Sequence, residues 1–247
     1  MLGGMVERID VAMVPAEALA IGADAYLVVD QLRATTTIAT LFEAGLRRLT
    51  VVDDIVAARE RAAETGALLF GEVGGLAPDG FDYGNSPVEA RDAAVADREA
   101  VLFTSNGTRA LCALGGRGEV VAAALANISA SCRSVVAAKR VAVVCAGTEL
   151  GTRFTLEDYA AAGALVATLR RQSPEAELGD AATLAFELAE RGDVDRLVRA
   201  AAHALATEAL GFGPDIDFAM QCDTSRAVPR VVACGSGWAA LEDRPRS

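Results

Sequence analysis

Short apolar runs alternate with stretches of helical periodicity through the first 145 residues. Residues 26–30 form an apolar run closed by an acid, Asp30, and read as a buried strand. Residues 33–44 carry an apolar-periodic helix. The alternation repeats as a strand at 49–52, a helix capped by Asp53 and running to about Thr65, and a strand at 67–71. A Gly/Pro-rich loop, 72–87, and a short helix lead to a strand at 100–105 and a helix at 107–114. A strand at 119–122, a helix capped by Asn127 and a strand at 140–145 complete this part. Strands alternating with helices of this size predict an α/β fold, a three-layer α/β/α arrangement around a largely parallel sheet. From 156 to 211 the pattern is mostly helical, and 227–234 reads as a returning strand. Pro229 inside that strand predicts an edge position, because proline cannot donate to a ladder.

One internal echo adds to this. Asp30-Gln-Leu-Arg33-Ala34 follows one strand and Asn106-Gly-Thr-Arg109-Ala110 follows another. Each sets an oxygen-bearing residue at a strand end and an arginine three residues later. This predicts two similar half-units around a cleft. No low-complexity linker divides the chain, so residues 1–247 read as a single domain with lobes meeting near residue 125.

Composition narrows the chemistry. The net charge of −11 disfavours nucleic acid and anionic membrane as partners. No apolar run reaches the length of a membrane span, and the acid-bearing first ten residues have no signal core, so a cytoplasmic protein is expected. The five cysteines include no Cys-x-x-Cys pair, which argues against zinc and disulfide frameworks and for small buried hydrophobes. Lys139 is the only lysine and His203 the only histidine. A Walker A lysine and a multi-histidine zinc site are therefore excluded. A Ser–His–Asp or Cys–His site would need His203 as its base, and its setting in an Ala-rich helix reads as structural. The remaining oxygen ligands favour a hard cation such as Mg²⁺.

Four blocks could carry the chemistry. In the first, Asp30 at a strand end can hold a cation, while Arg33, Thr35 and Thr36 at the following helix N-terminus can hold an anion. The alternative is a cap with a polar first turn, but Arg33 there opposes the helix dipole unless an anion sits beside it. In the second, Glu72 follows a strand directly and opens a loop too long and too Gly-rich for a plain connection. That loop ends in Asn85, Ser86 and Pro87, which either face a ligand or start the next helix with Ser86 as cap. In the third, Ser105, Asn106, Gly107, Thr108 and Arg109 could cradle phosphate oxygens. In the fourth, Thr155 and Asp158 resemble a capping box, and Glu157 is a metal ligand or a first-turn acid.

In order and spacing these blocks resemble the 2-phosphosulfolactate phosphatase (ComB) family. Its strings Asp-x-Leu-Arg-Ala-Thr-Thr-Thr-Ile, Gly-Glu-Arg-Gly-Gly, Gly-Asn-Ser-Pro, Thr-Asn-Gly-Thr and Cys-Ala-Gly…Glu-Asp match residues 30–38, 71–75, 84–87, 105–108 and 145–158. A weaker match continues through Leu210-Gly-Phe and Asp215 to Val228-Pro229. The resemblance implies a Mg²⁺-dependent phosphatase of phosphorylated 2-hydroxy acids, releasing sulfolactate and phosphate in coenzyme M biosynthesis. The main departure is Val73, which stands where the family string has arginine; Gln31 and Ser105 are milder changes. Loss of that cation implies a weaker preference for a sulfonated substrate.

The expected enzyme is thus a metal-assisted phosphate-monoester hydrolase with a small anionic phosphorylated substrate. Asp30, Glu72 and Glu157 are the expected metal ligands; Arg33 and Arg109 bind the phosphoryl or acid group; Thr35, Thr36, Asn85, Ser86 and residues 105–108 complete the cradle. Direct attack by water and a phosphoenzyme on Asp30 both fit this set. A non-catalytic phosphometabolite-binding protein of the same fold, or a phosphatase of a different 2-phospho acid, stand as alternatives. A homodimer is the expected assembly.

Overall fold

The apolar runs at 25–29, 100–103 and 141–145 become strands covered on both faces. The computed structural model describes residues 5–244; residues 1–4, part of the stretch read for a signal core, lie outside that range. The elements in order are β1 (Arg8–Ala12), α1 (Pro15–Ala18), β2 (Ala25–Val29), α2 (Ala34–Glu43), β3 (Arg48–Val52), α3 (Ile55–Thr65), β4 (Leu68–Gly71) and α4 (Pro87–Asp92). Then follow β5 (Glu99–Phe103), α5 (Gly107–Leu114), β6 (Glu119–Ala122), a 3-10 turn (Leu125–Asn127), α6 (Ile128–Val135), β7 (Arg140–Cys145), α7 (Leu156–Gln172) and β8 (Glu177–Leu178). The chain ends with α8 (Asp180–Glu190), α9 (Val194–Ala200), α10 (Ala202–Ala209), α11 (Gly213–Ala219), β9 (Pro229–Gly235) and β10 (Trp238–Asp243).

Among the described residues ten strands form one sheet, in the order β4-β5-β3-β10-β9-β6-β2-β7-β1-β8. Strands β4, β5 and β3 are mutually parallel, as are β6, β2, β7, β1 and β8. The antiparallel pair β9–β10 joins the two parallel runs. Alternate residues face opposite cores, as a pleat requires. Leu27, Val29, Val141 and Val143 pack under α6, α7 and α8, while Tyr26, Val28, Ala142 and Val144 face α2 and α5. Helix α3 covers the outer face of β3 and β5 through Ala58 and Ala62 against Val52, Val101 and Phe103. The α/β class, the largely parallel sheet and the helical portion after residue 156 are as expected.

Local readings differ in several places. Pro229 is not at a sheet edge: β9 lies between β10 and β6, and the proline occupies its first position, facing Asp243. A first-position proline leaves the ladder after it intact. Asp54, not Asp53, caps α3, accepting from the Ala57 N–H at 2.9 Å. Asn127 accepts from the Ala124 N–H and donates to the carbonyls of Ala122 and Ala227, so it ties the β6 turn to the chain before β9 rather than capping α6. Cys132 and Cys145 are buried as expected, but Cys222 and Cys234 are exposed.

Candidate functional site

The loops after β2, β4, β5 and β7 converge, with α10 laid across them. They enclose a cavity of about 370 Å³. Its lining is Asp30, Leu32 and Arg33 after β2; Glu72, Gly74 and Gly75 after β4; Asn85 before α4; Ser105 and Asn106 after β5; Thr148 and Glu149 after β7; and His203, Ala206, Thr207 and Leu210 on α10. The carboxyl ends of strands in α/β sheets are where ligand crevices form.

Asp30 is buried at the centre. Its Oδ1 accepts from the Ala34 N–H at 3.1 Å, capping the first turn of α2. Burial pushes its carboxyl up to about 6, helped by the charges of Glu72 and Glu157 and opposed by His203 and the Ala34 N–H. Gly107 makes this packing possible: a Cβ there would lie 2.6 Å from Asp30 Oδ2 and 2.6 Å from the Ala34 Cβ. Gly107→Ala is therefore expected to displace the carboxylate and cost about 1–3 kcal/mol by overpacking. Urea unfolding read beside turnover checks this, and wild-type values in both would show that the contact yields freely.

Several expected ligand groups are spent on the protein itself. Thr35 Oγ1 donates to the Asp30 carbonyl at 2.9 Å and accepts from its N–H at 3.0 Å. Thr36 Oγ1 donates to the Gln31 carbonyl at 2.9 Å. Both threonines are fully buried and shape the turn rather than face the cavity. The Thr108 hydroxyl and N–H bond to Thr104, and the Ser105 N–H donates to Glu72 Oε1 at 2.8 Å. Glu72 Oε2 accepts from the Gly75 N–H at 2.8 Å, so this carboxylate ties its own loop to the end of β5. Ser86 caps α4 through the Glu89 N–H and donates to Asp215 Oδ1 at 2.6 Å. Asn85 and Asn106 differ from these: both line the cavity, and each has a buried Oδ1 without a hydrogen-bond partner.

The two arginines of the sequence echo part company. Arg33 lines the cavity but is held by Asp215 on α11, Nη1 to Oδ2 at 2.7 Å. Its Nη2 donates to the Gly75 carbonyl at 2.7 Å, and the guanidinium lies 4.2 Å over the Phe212 ring. The anion that Arg33 needed at a helix N-terminus is this carboxylate. Arg109 does not reach the cavity: its Nη2 donates to the Asp53 carbonyl at 2.8 Å. It sits two residues beyond Gly107 on α5, about 200° around the helix from the face that meets Asp30.

Asp158 and Glu157 hold the rear wall. Asp158 Oδ1 accepts from the Gln31 N–H at 2.9 Å; Oδ2 accepts from the Gly147 N–H at 3.0 Å and the Thr155 hydroxyl at 2.9 Å. It thus fastens the turns after β2 and β7 instead of closing a capping box. Burial, with the charges of Asp30 and Glu157, holds its carboxyl well above the usual range. Glu157, also buried, stands 3.0 Å from Nδ1 of His203.

His203 is the site residue that sequence reasoning passed over. Its hydrogen bond to Glu157 is the main cause of a pKa raised to about 9; burial opposes this, and the charges of Glu157, Asp30 and Asp158 add to it. By linkage, its contribution to stability is full below the ordinary value of 6.5 and is lost as pH rises through about 9. A signal did exist. His203, Ala206, Thr207 and Leu210 have the i, i+3, i+4, i+7 spacing of one helix face, and all four line the cavity.

The three carboxylates expected around a metal are not gathered. Among the described residues no three His, Cys, Asp or Glu side chains converge to hold a metal ion. Glu157 leaves the set because it faces His203 rather than the cavity. What remains still suits a hard cation, since Mg²⁺ takes one or two carboxylates and fills its shell with water and substrate phosphate. Asp30, Glu72 and the two unpartnered amide oxygens supply only hard donors. The cations at the cavity are already matched, Arg33 by Asp215 and His203 by Glu157, so the surplus charge is negative.

The sequence model for 2-phosphosulpholactate phosphatase matches residues 13–233. A protein of Deinococcus radiodurans named "Probable 2-phosphosulfolactate phosphatase" is 40% identical over 216 residues, covering 85% of this chain and 88% of its own. A Thermus thermophilus protein of the same name is 39% identical over 226 residues, covering 90% and 93%. A Thermotoga maritima protein, again so named, is 36% identical over 209 residues, covering 83% and 88%. Among the described residues no helix is long and apolar enough to cross a membrane.

Proposed function

The chain belongs to the 2-phosphosulpholactate phosphatase family, and we propose that it hydrolyses the phosphate monoester of a 2-hydroxy acid, 2-phosphosulfolactate first, with the help of Mg²⁺. The observation that carries this reading is the buried Asp30 beside two unpartnered amide oxygens, in a cavity whose cations are already paired. A polyanionic ester entering such a cavity needs added positive charge. Asp30 and Glu72, with Asn85 and Asn106, would hold the ion. When bound, Mg²⁺ supplies charge neutralisation at the phosphoryl oxygens.

The protein's own residues do the rest. Glu72 fixes the Gly74–Gly75 turn against β5. Arg33, anchored on Asp215, holds the same turn through the Gly75 carbonyl. Val73 is exposed and does not line the cavity, although its neighbours Glu72 and Gly74 do. A cytoplasmic place in coenzyme M biosynthesis accords with the family's substrate.

Phosphate release from 2-phosphosulfolactate and 2-phospholactate, followed over many turnovers, tests the reading. Steady release that a chelator abolishes and Mg²⁺ restores is the expected result. Saturable binding without release would make the chain a phosphometabolite-binding protein. Full activity after demetallation would remove Mg²⁺ from the mechanism.

A further inference from the structure

Helix α10 presents one imidazole to the cavity. His203 is half-buried on α10, and its Nδ1 is committed to the buried Glu157 carboxylate at 3.0 Å. A carboxylate is an acceptor only, so Nδ1 carries a hydrogen and the ring orientation is fixed. Nε2 has no hydrogen-bond partner among the described residues, and the ring lines the same cavity as Asp30. Resting on the phosphatase reading above, we propose that His203, oriented by Glu157, donates the proton to the leaving oxygen of the substrate.

The chemistry calls for such a group. The leaving group of a 2-phospho acid is the alkoxide of a 2-hydroxy acid, a strong base that departs poorly without a proton. As the bond between phosphorus and the 2-oxygen breaks, its electron pair stays on that oxygen and the Nε2 proton transfers to it. Water adds to phosphorus, directly or after transfer of the phosphoryl group to Asp30. The proton that this water loses restores the imidazolium.

Other groups around the ring are consistent with a protonated resting state. Glu157 and Asp158 face it from α7, and Asp30 from the turn after β2. Glu72, Glu149 and the paired Arg33 share the cavity wall. The hydrogen bond to Glu157, with the charges of Glu157, Asp30 and Asp158 added, holds the ring in its acid form through neutral pH, with a pKa of about 9. Above that value the donor is lost.

Leaving-group dependence separates a proton donor from a structural helix residue. With Mg²⁺ present, His203→Gln should lower kcat on 2-phospholactate by about 10²-fold or more, the usual scale of general-acid catalysis. On p-nitrophenyl phosphate, whose leaving group is weakly basic, the loss should be roughly fivefold or less, because little is gained by protonating it. Equal losses on both esters, or a change confined to KM, would overturn the proposal. A second measurement needs only the 2-phospho acid. Glu157→Gln should move the alkaline fall of kcat to lower pH, and an unmoved limb would likewise overturn it. A wild-type protein inactive on both esters would instead overturn the phosphatase reading itself.

Discussion

Asp30→Asn is expected to lower kcat by about 10²-fold or more while leaving the fold intact, the scale on which one preorganised electrostatic group acts. The amide oxygen can still accept from the Ala34 N–H, and the bonds between Thr35 and residue 30 use the backbone. Only the charge goes. That charge is held at a cost, since burial and two neighbouring acids push the carboxyl up to about 6. A carboxylate raised above its unfolded value of 3.8 penalises folding increasingly as pH rises from 3.8, and the full penalty is reached above about 6. The metal-free Asp30→Asn protein should therefore match wild type in stability only below pH 3.8, the unfolded value, and be more stable at pH 8, by on the order of 1–3 kcal/mol. Lower activity with higher stability is the signature of a site strained for function. Near-normal kcat/KM in the variant would make Asp30 a simple helix cap.

The readable parts of the fold were those with a local cause. The runs at β2, β5 and β7 are apolar on both faces, and Ser86-Pro87 carries a cap and a first-turn proline in adjacent positions. Strand β10, Trp238–Asp243, was missed because its residues are held by pairing with β3 and β9 rather than by a pattern of their own. The same distinction divides the site. Asp30, Arg33, Glu72, Asn85, Ser105 and Asn106 were found because turns between a strand and a helix are visible in sequence, and all six line the cavity. Thr35, Thr36, Ser86, Gly107 and Thr108 occupy the same turns but serve the backbone or the packing, which spacing alone does not separate. His203 and Asp215 lie on helices far along the chain, and only the packing of α10 and α11 over the strand ends gives them partners.

Removing Arg33 alone is expected to destabilise the protein by about 3–5 kcal/mol, the cost of leaving one member of a buried ion pair without its partner. Both side chains are almost wholly shielded from water, at 4% and 3% exposure. After Arg33→Met, Asp215 would keep only the Ser86 hydroxyl as a donor. Arg33→Lys should recover part of the loss but not activity: one ammonium cannot bond Asp215 and the Gly75 carbonyl in the same fork while lying flat on Phe212. The double variant Arg33→Met with Asp215→Leu removes both charges, and buried pairs exchanged for apolar residues are often tolerated. It should therefore regain most of the stability lost by either single change. Turnover should stay low in the double variant, because Gly75 and Ser86, next to Asn85, lose the ties that hold the cavity wall. Urea unfolding of the four proteins gives the coupling energy directly. Additive losses with no recovery would mean that Arg33 and Asp215 act separately, and that the wall at Gly75 and Ser86 is held by something other than their pairing.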